Sequence, residues 1–322
     1  MLDGRWFPRV SCENGNYTIP GPAGDAPPGV PSPSGGPAPS PPAHVTVFLC
    51  STCGTSYPPA AAEPRGCPIC TDARQYVPPG GQRWTTRGRL GETHRNRIEK
   101  LAPGLHAIEV EPRFGLGQRA LLVQDAGGNV LWDCVPLLDD ELFGAVDALG
   151  GISTVAISHP HFYGGMIEWA RAFDATIHLH AADRRWVMTP DPRICLWEGG
   201  SMALSRGCFL HHVGGHFPGA QVLHWAPALE GRGILLTGDV VQVVPDRRWV
   251  SFMYSGPNLI PLAGHDVRRI GERLAQLSFE RIYGAFRDRE VLEDGNGVVE
   301  RSVARYLSAL ERVPEDQGPV SP

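Results

Sequence analysis

The chain has 322 residues, 42% of them hydrophobic, and a formal net charge of -5 carried by acids and bases mixed along its length. That is enough apolar material for one large or two smaller globular domains, and it lacks the basic stripe that follows a phosphate backbone, so no nucleic-acid partner is expected. No run approaches the roughly 18 apolar residues of a membrane span, and the opening MLDGRWFPRVSCENGNY has no apolar core resembling a secretion signal. A cytoplasmic protein without a membrane partner is the expectation.

Residues 1–43 are rich in Pro and Gly and nearly devoid of large apolar side chains from residue 15 onward. Such a segment cannot bury enough surface to offset its ordering entropy and is expected to be disordered. A small cysteine module follows over 44–80. Its CSTCGTSYPPAAAEPRGCPIC sets Cys50, Cys53, Cys67 and Cys70 as two C-x-x-C pairs across a short loop. Four thiolates close a tetrahedral shell around zinc or a single iron, and the metal supplies the folding energy that so small a core lacks. The spacing leaves zinc and iron both open. Cys12, Cys134, Cys195 and Cys208 are scattered and read as free thiols, not as a disulfide framework.

Beyond the module, short apolar strands mix with amphipathic helices, which predicts a layered α/β or α+β domain. QRALLVQDAGGNVLWDCV alternates around a Gly-Gly-Asn turn and predicts a hairpin, LDDELFGAVDALGG a helix, and STVAISH a short buried strand. Met166, Ile167, Ala170 and Phe173 recur at helical spacing directly after His159 and His161. FLHHVGGHFPGAQVLHW predicts two strands around a Gly-rich turn carrying His216, and GRGILLTGDVV a strand ending in Asp239. Val267, Ile270, Leu274 and Leu277 mark one further helix, and Val299, Val303, Leu307 and Leu310 the last. His178 and His180 alternate along a strand and His265 sits in the first turn of a helix, none of them expected to bind metal. Arg287 is read as a surface residue, or as a group facing a substrate anion.

HPH at 159–161, the turn around His216 and the GD at 238–239 follow one another as ligands presented at the rim of a sheet. In this order the pieces resemble the metallo-β-lactamase superfamily over about 84–313, with 314–322 left as a flexible tail. The cysteine module resembles rubredoxin-like and zinc-ribbon domains. The resemblance implies an α+β fold, an αββα sandwich preceded by a four-cysteine metal ribbon, with the site along one edge where two sheets meet. It implies that His159, His161 and His216 hold one metal and that Asp239 is the carboxylate ligand, with Asp133 supporting the metal loop from behind. Where the family has further ligands, this chain has Tyr163, Gly164 and, approximately aligned, Phe286. The ligands of one metal are kept and those of a second are lost.

A three-histidine zinc with an open position can make hydroxide at neutral pH. The leading expectation is therefore a mononuclear zinc hydrolase that cleaves a small ester, thioester or lactone by metal-bound hydroxide, with Asp239 and Tyr163 as catalytic residues. Tyr163, a poor base, would donate a hydrogen bond, or else simply pack. A non-catalytic metal or ligand-binding member of the fold and an iron-dependent redox protein using the cysteine module for electron transfer are the alternatives. The expected cofactors are one zinc in the histidine site and one in the cysteine site, with iron open in the latter. The expected partner is a small-molecule substrate, with the cysteine module open as a surface for a protein partner.

Overall fold

Side-chain alternation along short apolar strands builds two sheets. The first holds β1 (Arg95–Ala102), β2 (Leu105–Glu111), β3 (Ala120–Val123), β4 (Val130–Trp132), β5 (Thr154–Ala156), β6 (Thr176–His180) and β7 (Ile194–Trp197), in that spatial order. Its pairs are antiparallel from β1 to β4 and parallel from β4 to β7. The second holds β8 (Ser201–Ala203), β9 (Cys208–His212), β10 (Gln221–Trp225), β11 (Ile234–Gly238), β12 (Arg281–Gly284) and β13 (Glu290–Val291), antiparallel except for the β11–β12 pair. The computed structural model describes residues 45–311. The expected disordered segment, the tail and Cys12 lie outside the described residues.

One alternate of each strand points inward. Leu105, Leu121 and Trp132 of the first sheet share a core with Leu210, Leu223 and Leu236 of the second. The other alternates meet helices: α1 (Asp140–Ala148), α2 (Met166–Phe173), α3 (Gly264–Leu274) and α4 (Gly295–Leu310) bring Leu142, Trp169, Val267, Ile270 and Val299 to the outward-facing Leu122, Val155, Leu235 and Ile282. The result is the expected αββα sandwich. The start of α1 is local in origin: Asp139 accepts a hydrogen bond from Leu142 N at 2.8 Å, and Asp140 and Glu141 follow in its first turn.

Two buried polar side chains cross between the sheets. Gln221, at the start of β10, accepts from Trp197 Nε1 at 2.9 Å and donates to Ile157 O at 2.8 Å and His178 O at 3.3 Å. Arg119, just before β3, donates to Gly284 O at 3.0 Å and pairs with Glu290 at 2.6 Å.

The cysteine module is packed into the same core, since Leu49, Tyr57 and Ile69 belong to the helix-side apolar cluster. Leu49–Cys50 pairs antiparallel with Trp84–Thr85, and Pro68–Thr71 forms one helical turn. Cys134 and Cys208 are free and buried as expected, whereas Cys195, expected as a free thiol, is disulfide-bonded. Among the described residues no helix is long and apolar enough to cross a membrane.

Candidate metal centres

In the cysteine module the four sulfurs lie within 4.8 Å of one another. Cys50 and Cys70 are 3.6 Å apart, as are Cys53 and Cys67. A tetrahedron with zinc–sulfur bonds of about 2.3 Å has edges of roughly 3.8 Å, so the quartet fits a metal. The surroundings fit too: Gln82 Nε2 donates to Cys50 Sγ at 3.0 Å, and hydrogen bonding among the sulfurs separates the thiols, pulling Cys50 down against the effect of burial and pushing Cys53 up. All four side chains are buried.

The second centre is built from three strand ends. His159 and His161 leave β5, His216 sits on the turn between β9 and β10, and Asp239 follows β11. Their four ligand atoms also lie within 4.8 Å. His159 Nε2 is 3.1 Å from Asp239 Oδ1, and His216 Nε2 is 3.3 Å from His161 Nδ1, near the roughly 3.3 Å edge expected around a metal with bonds of about 2.0 Å.

Two of the three rings, those of His159 and His216, are aimed by a hydrogen bond on the far side. Ser158 Oγ gives its proton to Asp133 Oδ1 at 2.8 Å and so accepts from His159 Nδ1 at 2.9 Å, leaving the Nε2 lone pair facing Asp239. His216 Nδ1 donates to Met253 O at 3.0 Å, which turns its Nε2 lone pair inward. Asp133 is itself fixed by Ser158 N at 2.7 Å and adopts a positive φ of 60°.

Inside the cluster His159 Nε2 and Asp239 Oδ1 are buried and have no hydrogen-bond partner. Lone pairs left unsatisfied in this way are costly unless a cation meets them. Burial, then the neighbouring histidines and Arg74, pushes His159 and His161 well below the usual histidine range. Burial raises Asp239, with His216 opposing, and takes Asp133 up to about 8. Imidazole nitrogens with one carboxyl oxygen form a donor set suited to zinc and similar divalent ions.

Exposure differs across the centre. The three histidines are 1 to 3% exposed, whereas the Asp239 side chain is 21% exposed with its Oδ1 buried, so the rest of that carboxylate faces out. A cavity of about 500 Å³ is bounded in part by Gln118, Pro136, Gln242 and Phe286, and none of the four ligand residues lines it. Phe286, where a last ligand was sought, is 6.4 Å ring to ring from Phe162, which in turn stands 4.5 Å from His159.

The other side of the centre is closed by the cysteine module. At Gly164 an added Cβ would lie 2.6 Å from Gly54 O and 2.8 Å from Gly54 C. Tyr163 is 4% exposed, and its phenol is held well above its usual range by burial and by Asp183. No hydrogen bond or ring contact joins Tyr163 to the three histidines among the described residues. Arg287 is engaged by Glu109 and Glu111 on the surface. His178 and His180 lie on β6 and His265 in the first turn of α3, apart from both clusters.

Sequence reasoning missed Ser158, Met253, Phe217 and Arg74. Ser158 and Phe217 adjoin expected ligands and were open to inspection; Met253 and Arg74 arrive from distant parts of the chain, with no local signal.

An αββα sandwich with three histidines and a carboxylate gathered at its strand ends defines a class of metal-site proteins. The chain belongs to the metallo-β-lactamase superfamily, whose pattern matches residues 113–285. It is 44% identical over 265 residues to the uncharacterized protein YmaE of Bacillus subtilis (strain 168), spanning 82% of this chain and 96% of that one. Among solved structures it is similar to the DIM-1 metallo-beta-lactamase, with a TM-score of 0.51 at 14% identity, covering 67% of this chain and 98% of the other. That likeness is one of fold.

Proposed function

We propose that the protein is a metal-dependent hydrolase with a single zinc held by His159, His161, His216 and Asp239, cleaving a small ester, thioester or lactone. The observation that carries this reading is the convergence of three ring nitrogens and one carboxylate oxygen, with His159 Nε2 and Asp239 Oδ1 buried and without a hydrogen-bond partner. Bound there, the metal supplies Lewis acidity, polarising a carbonyl and lowering the pKa of a coordinated water toward about 7.

The chain's own residues do the rest. Ser158 and Met253 O set the ring tautomers. Asp239, with one oxygen against the rings and its remaining edge toward solvent, is placed to accept a proton from an attacking water. The substrate is assigned to the cavity of about 500 Å³ bordered by Phe286, which reaches His159 through the ring of Phe162. Tyr163 stays protonated and serves as a hydrogen-bond donor; unchanged turnover in Tyr163→Phe removes it from the mechanism.

In this reading residues 44–80 hold a structural zinc, residues 84–313 form the catalytic domain, and the protein works in the cytoplasm. The depth of the three histidines favours a second reading, in which the metal stiffens the loops of a non-catalytic binding protein.

Elemental analysis of wild type, His159→Ala/His161→Ala and Cys67→Ala is the test, followed by an ester, thioester and lactone screen. Two zinc per chain, one lost in each variant, with hydrolysis lost in the histidine variant, is the expected result. One metal per chain, lost only in Cys67→Ala, overturns the hydrolase. Two metals without hydrolysis of any of the three substrate classes favour the binding protein, and a coloured, iron-loaded cysteine site points to redox chemistry.

A further inference from the structure

Arg74 leaves the cysteine module and ends against the histidine centre. It is 8% exposed, its guanidinium carbon lies 4.4 Å from the Phe217 ring centroid and 5.0 Å from that of Tyr254, and its Nε has no hydrogen-bond partner. Its direction is set just after Cys70, where Asp72 accepts from the Arg74 backbone N–H at 3.0 Å and from Nη1 at 2.6 Å. Phe217 directly follows His216, and its ring stands 5.5, 4.8 and 5.1 Å from those of His159, His161 and His216.

The module's main chain is tied to the same place. Ser255 Oγ donates to Arg74 O at 2.9 Å, and Asn258 Nδ2 donates to Ala73 O and Gln75 O at 3.2 Å. Two residues before Ser255, Met253 O takes the Nδ1 proton of His216. A short path of contacts therefore runs from Cys70 through Arg74 to Phe217, and another through the 253–258 segment, a short strand and the turn after it, to His216. A cation over an aromatic face fixes the ring more firmly when both are withdrawn from water, and a metal-binding histidine depends on what holds its far nitrogen.

We propose that Arg74 is a positioning residue for the histidine centre: by clamping Phe217 and the 253–258 segment, the cysteine module holds His216 in the orientation a metal ligand needs. This rests on the metal-centre reading above. It also gives the four-cysteine metal a task beyond folding its own module, because stripping it releases Arg74 and loosens the second centre.

The test uses the full-length, zinc-loaded protein and the variants Arg74→Ala, Arg74→Lys and Phe217→Leu. Zinc per chain, the zinc Kd of the histidine centre by chelator competition, and the visible spectrum of its cobalt(II) form are read. Arg74→Ala should keep the cysteine-bound zinc and bind the other roughly 10- to 100-fold more weakly, with an altered cobalt spectrum. Phe217→Leu should do the same, and Arg74→Lys should recover part of the loss.

Wild-type affinity and spectrum in both Arg74→Ala and Phe217→Leu overturn the proposal. If Arg74→Ala sheds both metals, Phe217→Leu decides, because it leaves the module's own residues in place. A histidine centre that takes up no zinc in wild type sinks the metal-centre reading and this role with it; a zinc-loaded histidine centre with unaffected variants sinks the role of Arg74 alone.

Discussion

Gly164→Ala probes the seam between the cysteine module and the loop that carries His159 and His161. The added methyl would lie 2.6 Å from Gly54 O, 2.8 Å from Gly54 C and 3.4 Å from Thr55 N. All three are backbone atoms of the module, so no side chain can rotate away and the two segments must move apart. Overpacking of this kind costs typically about 1 to 3 kcal/mol. For a chain of this size that is a fall in thermal midpoint of roughly 2 to 10 °C. Gly144→Ala is the control, since an added Cβ within α1 meets nothing within 4 Å; it should stabilise by about 0.5 to 1 kcal/mol through helix propensity. Metal-loaded variants would be compared by calorimetry under identical buffer and metal conditions. A Gly164→Ala midpoint equal to wild type, with Gly144→Ala raised, would refute the claim that the module is seated against this loop.

Three further outcomes are expected. Ser158→Ala should weaken zinc binding at the histidine centre by about 10-fold or more, read by chelator competition, because His159 loses the acceptor that fixes its tautomer. Asp183, pushed by burial from 3.8 up to about 6, carries an unpartnered Oδ2. Its folded form holds a proton that the unfolded chain has released, so its contribution to stability falls as pH rises from 3.8 to about 6. Asp183→Asn should therefore be more stable than wild type at pH 7 by up to about 3 kcal/mol, with the advantage vanishing below pH 4; denaturant melts at both pH values check it. Glu290→Ala strands Arg119, which is 2% exposed, and should cost about 3 to 5 kcal/mol in urea unfolding.

Much of this architecture was legible because its signals are local. Alternation around Gly127–Gly128–Asn129 marked the β3–β4 hairpin, and the order His159, His161, His216, Asp239 placed each ligand at the end of an apolar strand. The cysteine spacing marked the module for the same reason. What the sequence hid is tertiary. Arg74 reaches the centre only because the module folds back onto the 253–258 segment, and no periodicity encodes that reach. Met253 contributes a backbone carbonyl, which any residue could supply. The role of Gly164 as a place of backbone contact is invisible until Gly54 is seen against it.

Two apolar sheet faces can slide past one another with little loss, since one leucine fits nearly as well against the next. Gln221 removes that freedom. Its amide finds Trp197, Ile157 and His178 together in only one lateral placement, and a slip of even half a strand spacing leaves polar atoms stranded in the interior. Ile157 lies two residues before His159, and Gln221 five residues after His216. A neutral amide deep in the core thus acts as the alignment pin for the two segments that must meet at the metal, setting the tolerance of the centre from inside the protein.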